Sequence, residues 1–218
     1  MRRPRAAVAP KQIATASTAA ASIATTLVLA ALLVALAGCA LLPLSPTKRY
    51  ARWLDAGHRT EAEHYIARLQ AEGVDGVVPA LALARTARKW RACGRDEFGV
   101  PPETLQANMP PTLRLVAQLR DLGILDTSLA RSAYRDPELN ACAGGSAGSK
   151  HLQNQAIDFD LPKRPDNVEK LCAFWREHGE AANMGLGFYT PTAIHIDTAG
   201  YRTWGQDFHR GTSLCLAR

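Results

Sequence analysis

The feature that most limits how this chain can fold is a period of two in its second half. In "AIDFDL", residues 156–161, Ile157 and Phe159 alternate with Asp158 and Asp160; in "TAIHIDT", residues 192–198, Ile194 and Ile196 alternate with Ala193, His195 and Asp197. Successive side chains of a strand point to opposite faces, so each segment sends two large apolar groups into one layer and its ionisable groups to the other. Such strands need a sheet with one covered face. "GLGFYT", residues 185–190, is strand-like too, with a "PT" turn before "AIHIDTA", and "RSAYR", residues 131–135, is short and alternating.

The first half reads differently. Residues 48–72 carry Tyr50, Trp53, Leu54, Tyr65, Ile66 and Leu69 at helical spacing, interrupted at Gly57, and "PALALARTARKW", residues 79–90, is a second helical candidate. "PTLRLVAQLRDLG", residues 111–123, is the clearest helix, with proline in its first turn, Leu113, Val116, Leu119 and Leu122 as its apolar positions, and Gly123 as its stop. "NVEKLCAFWREHG", residues 167–179, is another, ended by Gly179. Helices first and short strands later predict an α+β fold with a small, mostly antiparallel sheet flanked by helices.

The N-terminus is expected to be an export signal over residues 1–38: Arg2, Arg3, Arg5 and Lys11 precede a small-residue and apolar run. "LAGC", residues 36–39, resembles a bacterial lipobox, which makes Cys39 an acylated anchor and 39–47 a tether. A helical segment over 48–90 and a core over 91–218 complete the expected organisation. Ala40 and Leu41 carry no acidic retention signal, which points to the periplasmic face of the outer membrane in the cell envelope.

The formal charge of +6 does not point to nucleic acid. Four of the 26 Lys and Arg lie in the signal, leaving 22 against 20 Asp and Glu. Cys93, Cys142, Cys172 and Cys215 are too widely spaced for a zinc thiolate knuckle. In an oxidising compartment they read as two disulfides between neighbours in the chain, Cys93 with Cys142 and Cys172 with Cys215.

The chemistry converges on three residues. His151 ends the small-residue loop "NACAGGSAGSK", Asp158 lies on the polar face of its strand, and His195 shares a strand face with Asp197. Two imidazoles and one carboxylate with no cysteine nearby suit a zinc site whose fourth position is open, the form that activates water for hydrolysis.

"SAYRDPELNACAGGSAGSKHLQNQAIDFDL" resembles the S-G-Y-R, N and S-x-H-x-x-G-x-A-x-D signature of the zinc D-Ala-D-Ala peptidases of bacterial cell walls. "GLGFYTPTAIHIDTAGYRTWG" is similar to that family's second block, a G-x-G-x-Y strand leading to H-x-D, an arginine and a tryptophan. The resemblance implies the hedgehog and D-Ala-D-Ala peptidase fold, with His151, Asp158 and His195 holding Zn2+. It implies Arg135 for the substrate carboxylate or the developing oxyanion, and Ser132, Ser149 and Trp204 as further substrate contacts.

Two positions depart from the family pattern. Asn154 replaces the motif glycine, a tolerable change because asparagine also adopts positive φ. Thr192 stands where many members place the glutamate that acts as general base three residues before the last zinc histidine. Asp197 is the nearest carboxylate, as base or as support for an imidazole, and His209 is a second candidate.

Other motifs are weaker. "GGSAG" fits G-x-S-x-G but lacks the strand and helix of a nucleophile elbow, and "GSAGSK" fails the phosphate-loop spacing at Lys150. The sequence therefore predicts a lipid-anchored, monomeric zinc metallopeptidase. It would hydrolyse peptidoglycan stem peptides, as a D,D-carboxypeptidase or as a cross-link endopeptidase. The alternative is a non-catalytic peptidoglycan-binding lipoprotein that keeps the fold.

Overall fold

A computed structural model describes residues 43–216. The expected export signal and the Cys39 anchor lie outside the described residues. Helix α1 (Pro46–Trp53) runs into a wider π turn over Leu54–His58, which breaks at Gly57, where φ is +114°, before α2 (Arg59–Ala71). The expected interruption is thus a change of axis that only glycine takes without strain. Short helices α3 (Ala80–Leu83) and α4 (Glu103–Gln106) precede α5 (Met109–Asp121), which has proline in its first turn and Gly123 at φ +69° beyond its end.

Strand β1 (Ala130–Ser132), α6 (Pro137–Cys142), a 3-10 turn (Lys150–Gln153) and β2 (Ala156–Asp160) come next. They are followed by α7 (Asn167–His178), β3 (Gly185–Phe188), β4 (Ala193–Asp197) and β5 (Arg202–Trp204). The five strands form one sheet in the order β1-β2-β4-β3-β5, antiparallel except for the β3–β5 pair. The fold is α+β, as the succession of patterns predicts.

The alternation does what it promised. Ile157, Phe159, Leu186, Phe188, Ile194 and Ile196 are buried on one face with Leu113, Val116 and Leu119 of α5, Leu171 and Trp175 of α7, and Tyr65 and Leu69 of α2. Cys93 pairs with Cys142 and Cys172 with Cys215, as expected from the chain order.

Two helical details differ from expectation. Leu122 is 60 % exposed, because α5 ends at Asp121 and the chain turns away through Gly123, while Leu115 is buried instead. The helix over 79–90 is a single turn. Beyond it Arg85 forms a bridge with Phe98, Ala133 N–H donates to the Arg85 carbonyl, and the Ser132 hydroxyl donates to the Thr86 carbonyl. Pairing beside β1 overrides the local helical pattern.

Candidate metal centre

One row of residues crosses the other face of the sheet in register. Ser132 lies opposite Asp158, Asp158 opposite His195, His195 opposite Gly187, and Gly187 opposite Trp204. Two of the three expected ligands are therefore direct cross-strand neighbours. His151 arrives from the 3-10 turn before β2. That turn ends at Asn154, in the left-handed region at φ +51° and ψ +42°, the conformation expected of the residue that replaces the motif glycine.

The three side chains meet below the surface. His151 Nε2 is 3.0 Å from Asp158 Oδ1, and His195 Nδ1 is 3.1 Å from both. All three residues are buried, and the cluster could hold a metal ion. The outer atoms say what the inner ones carry. His151 Nδ1 lies 2.6 Å from the Ala133 carbonyl and must donate to it, which leaves a lone pair on Nε2. His195 Nε2 lies 2.8 Å from Asp197 Oδ2 and donates there, which leaves a lone pair on Nδ1. Two imidazole lone pairs and a carboxylate oxygen that face one another repel, and a cation between them removes the repulsion. The donor set fits zinc, which takes imidazole and carboxylate ligands from proteins.

The electrostatics agree with that arrangement. Burial works against ionisation of Asp158, yet His151 and His195 outweigh it and hold its carboxyl far below the usual range. For His195, burial is outweighed by Asp158 and Asp197, so its pKa is raised. For His151, burial, helped by Arg135 and His195, prevails over Asp158 and lowers it.

Asp197 is fully buried and braced from behind. Arg202 donates from Nη1 to Oδ1 at 2.9 Å and from Nη2 to Oδ2 at 2.6 Å, and the Ala199 amide donates to Oδ1 at 2.8 Å. Burial opposes the charge on Asp197, but His195 and Arg202 bring its carboxyl down to about 2. Arg202 and Trp204 lie on β5, two strands from β4, and reach across only because β3 presents no side chains on this face. A Cβ at Gly185 would run into Arg202 and the Asp197 carboxylate; one at Gly187 would run into the Trp204 indole. The G-x-G pattern clears a path for the second row of contacts.

Other expected site residues take varied places. Arg135 is buried and donates to Ser132 Oγ at 2.9 Å, to Asn140 Oδ1 at 3.3 Å and to Asp158 Oδ2 at 3.4 Å, so it holds the Asp158 carboxylate from the side. Ser132 is buried between Arg135 and the Thr86 carbonyl. Ser149 caps the 3-10 turn that carries His151, and its carbonyl accepts from the Leu152 amide. Trp204 packs its ring 5.7 Å from that of His195.

His209 is not brought to the cluster. Its side chain is 80 % exposed, and its contacts are to Asp207. Asp197 touches His195 on the nitrogen that faces away from His151 and Asp158. Thr192 is exposed, in the turn between β3 and β4.

Tyr189 is the neighbour that pattern reading passed over. Its hydroxyl lies 3.5 Å from His195 Nδ1 and within reach of Asp158; burial, then that carboxylate, push the phenol well above its ordinary value. It follows β3 on the face of Gly185 and Gly187 and closes the G-x-G-x-Y pattern, so the motif and its parity were the available signals.

The class defined by these features is a metal site of two histidines and an aspartate on an antiparallel sheet. The family model Peptidase M15 matches residues 72–197, and the chain belongs to this family of zinc-dependent metallopeptidases. No curated protein and no solved structure matches the chain.

Proposed function

We propose that this chain is a zinc peptidase of the cell envelope that hydrolyses peptide bonds in peptidoglycan stem peptides, as a D,D-carboxypeptidase or a cross-link endopeptidase. The observation that carries this reading is the convergence of three lone-pair atoms from His151, Asp158 and His195, each fixed by a partner on its outer side. Zinc held there would supply a Lewis acid that polarises a carbonyl and makes water nucleophilic at neutral pH.

The protein's own groups do the rest. Asp197 and Arg202 keep His195 in the tautomer that presents Nδ1, so Asp197 acts as a positioning residue. Arg135 steadies Asp158. The Tyr189 phenol, kept protonated by burial, is a hydrogen-bond donor beside the ligands and would stabilise charge developing on a carbonyl oxygen. The Trp204 ring forms a wall next to His195 on which a substrate would pack. Cys39 would tether the enzyme to the membrane, on the periplasmic face of the outer membrane, with peptidoglycan as its partner and the chain acting as a monomer.

A second reading rests on Thr192. The family's glutamate position holds an exposed threonine, so a wall-binding lipoprotein that keeps metal without cutting is the alternative. Digestion of purified sacculi by the zinc-loaded chain, with the new termini identified by mass spectrometry, tests both. New D-Ala or cross-link termini support the peptidase. Full zinc occupancy with no new termini establishes the binding protein.

A further inference from the structure

Phe208 is a large side chain that the site described so far does not use. It is 60 % exposed, and its backbone lies in the left-handed region at φ +64°, where a bulky residue is strained. Backbone outliers of this kind cluster at functional sites, where the surrounding bonds hold them. Here those bonds are explicit. The Phe208 amide donates to the Gly205 carbonyl at 2.8 Å, and the Gly205 amide to the His209 carbonyl at 3.0 Å. Asp207 Oδ1 accepts from the His209 amide at 3.0 Å and from the Thr212 hydroxyl, and the Cys172–Cys215 disulfide ties the end of this loop to α7. None of these bonds needs the phenyl ring.

The ring continues the aromatic wall of the metal site. Trp204 lies 5.7 Å from His195, and Phe208 lies 5.3 Å from Trp204 and 6.4 Å from Tyr189. Those two steps put the Phe208 ring within about three residues of extended peptide from His195. The chain neighbours of these aromatic residues, Phe188, Thr190, Gln206 and Asp207, line a cavity of about 440 Å³ together with Pro191 and Leu214. Asp207 is the one ionisable side chain in that lining, and the Thr212 hydroxyl and the His209 amide hold its carboxyl below the usual range. The cavity thus joins apolar walls to a single negative charge. The loop lies beyond residues 72–197, the stretch that matches the family model, so family membership does not account for it.

We infer that Phe208 and the adjoining cavity form a subsite for a substrate side chain with an aliphatic stem and an ammonium end, two or three residues before the scissile bond. The inference rests on the peptidase reading above. Methylene groups pack on apolar surface such as the Phe208 ring, Pro191 and Leu214 while their charged end stays at a polar rim, and the Asp207 carboxylate is the group that an ammonium would meet there. A carboxypeptidase leaves one residue after the bond. Only the side before the bond therefore extends this far in both forms of the reaction.

Calorimetric titration of the zinc-loaded full chain with peptides whose scissile bond is reduced and uncleavable tests the subsite without turnover. The peptides carry lysine, norleucine or glutamate, in one set at the second residue before the bond and in the other at the third. In one of the two sets lysine should bind at least about threefold tighter than norleucine, with glutamate weakest. Phe208→Asn should weaken the lysine and norleucine peptides alike, by about fivefold, while Tm holds or rises because asparagine accepts the left-handed backbone. A ring with a merely structural role would lower Tm instead. Asp207→Asn keeps an oxygen for the two loop bonds and should abolish the preference for lysine over norleucine. Salt at about 1 M should erase the same preference in the unaltered chain, which gives a second readout if Asp207→Asn does not fold.

Cleavage of the same peptides with an ordinary bond is measured alongside. If none is cut, yet the lysine preference and its loss in the variants hold, the peptidase reading fails and the subsite stands. Equal binding of lysine and norleucine in both sets, or binding unchanged in Phe208→Asn, overturns the subsite.

Discussion

Asp158 and Asp160 stand on one face of one strand, two residues apart, and the structure treats them in opposite ways. Asp158 is buried and meets two imidazoles and Arg135; Asp160 is about one third exposed and meets two arginines. The difference is one of burial and partner. A desolvated carboxylate with neutral nitrogen lone pairs beside it demands a cation, whereas a half-solvated one between guanidinium groups is already neutralised. Periodicity alone, which gives both residues the same face, does not tell them apart.

Breaking each half separately gives the largest contrast. Asp158→Asn should lower zinc affinity by more than the ~10–100-fold that an outer partner is worth, whereas Asp160→Asn should change it less than about threefold, because this carboxylate touches no ligand. Competition against a chromophoric chelator reads both. Comparable losses in the two variants would mean that the two carboxylates are not distinguished by burial.

Support from behind comes next. Asp197→Asn should cost about 10–100-fold in zinc affinity. Gly187→Ala should act on a different quantity: an added methyl displaces the Trp204 ring from His195, so substrate KM rises while zinc content holds. Steady-state kinetics with metal analysis on the same sample would show whether the two effects separate.

The pH dependence has a definite sign. Zinc needs the neutral imidazole of His195, whose pKa is raised by Asp158 and Asp197 in spite of burial. Affinity should therefore be full well above that raised value and fall as pH drops through it. Asp197→Asn removes one cause of the rise, so the fall should begin at lower pH even though affinity at about pH 8 is weaker. Zinc titrations between about pH 8 and pH 5 decide it, and an unshifted profile would remove Asp197 from any influence on His195.

The smallest effect lies at the rear of the His151 turn. The Asn154 amide donates to the Tyr65 hydroxyl at 3.2 Å and to the Leu105 carbonyl at 3.1 Å, tying the turn to α2 and to the end of α4. Tyr65→Phe should cost about 1 kcal/mol, or about 2–4 °C in Tm for a domain of this size. Asn154→Gly keeps the left-handed backbone while losing the side-chain bonds, so it should cost a similar amount and lower zinc affinity only slightly.

Much of the site was legible from residue types and spacing. His151, Asp158 and His195 could be named because ligand chemistry restricts the candidates and because strand alternation puts Asp158 and His195 on a polar face. The disulfide pairs followed from order along the chain. Less legible were residues whose role depends on what lies across the sheet. Asp197 was readable as either base or support, and only the position of Arg202 behind it and of His195 Nε2 against it shows support. His209 stood near in sequence and is turned out to solvent. Arg88, which pairs with Asp160, was hidden in a segment with helical periodicity that the sheet edge draws out of a helix.

The sequence by itself determined four of the five strands, the covered face and the three candidate donor residues that the fold brings together, because period-two burial and the small set of metal-binding side chains are local properties. Tertiary structure decided which nitrogen of each imidazole faces inward, which carboxylate is desolvated and which arginines meet each carboxylate. Those depend on register across five strands and on two glycines that let β5 reach β4. Register is a relation between segments distant in the chain, and no single segment contains it.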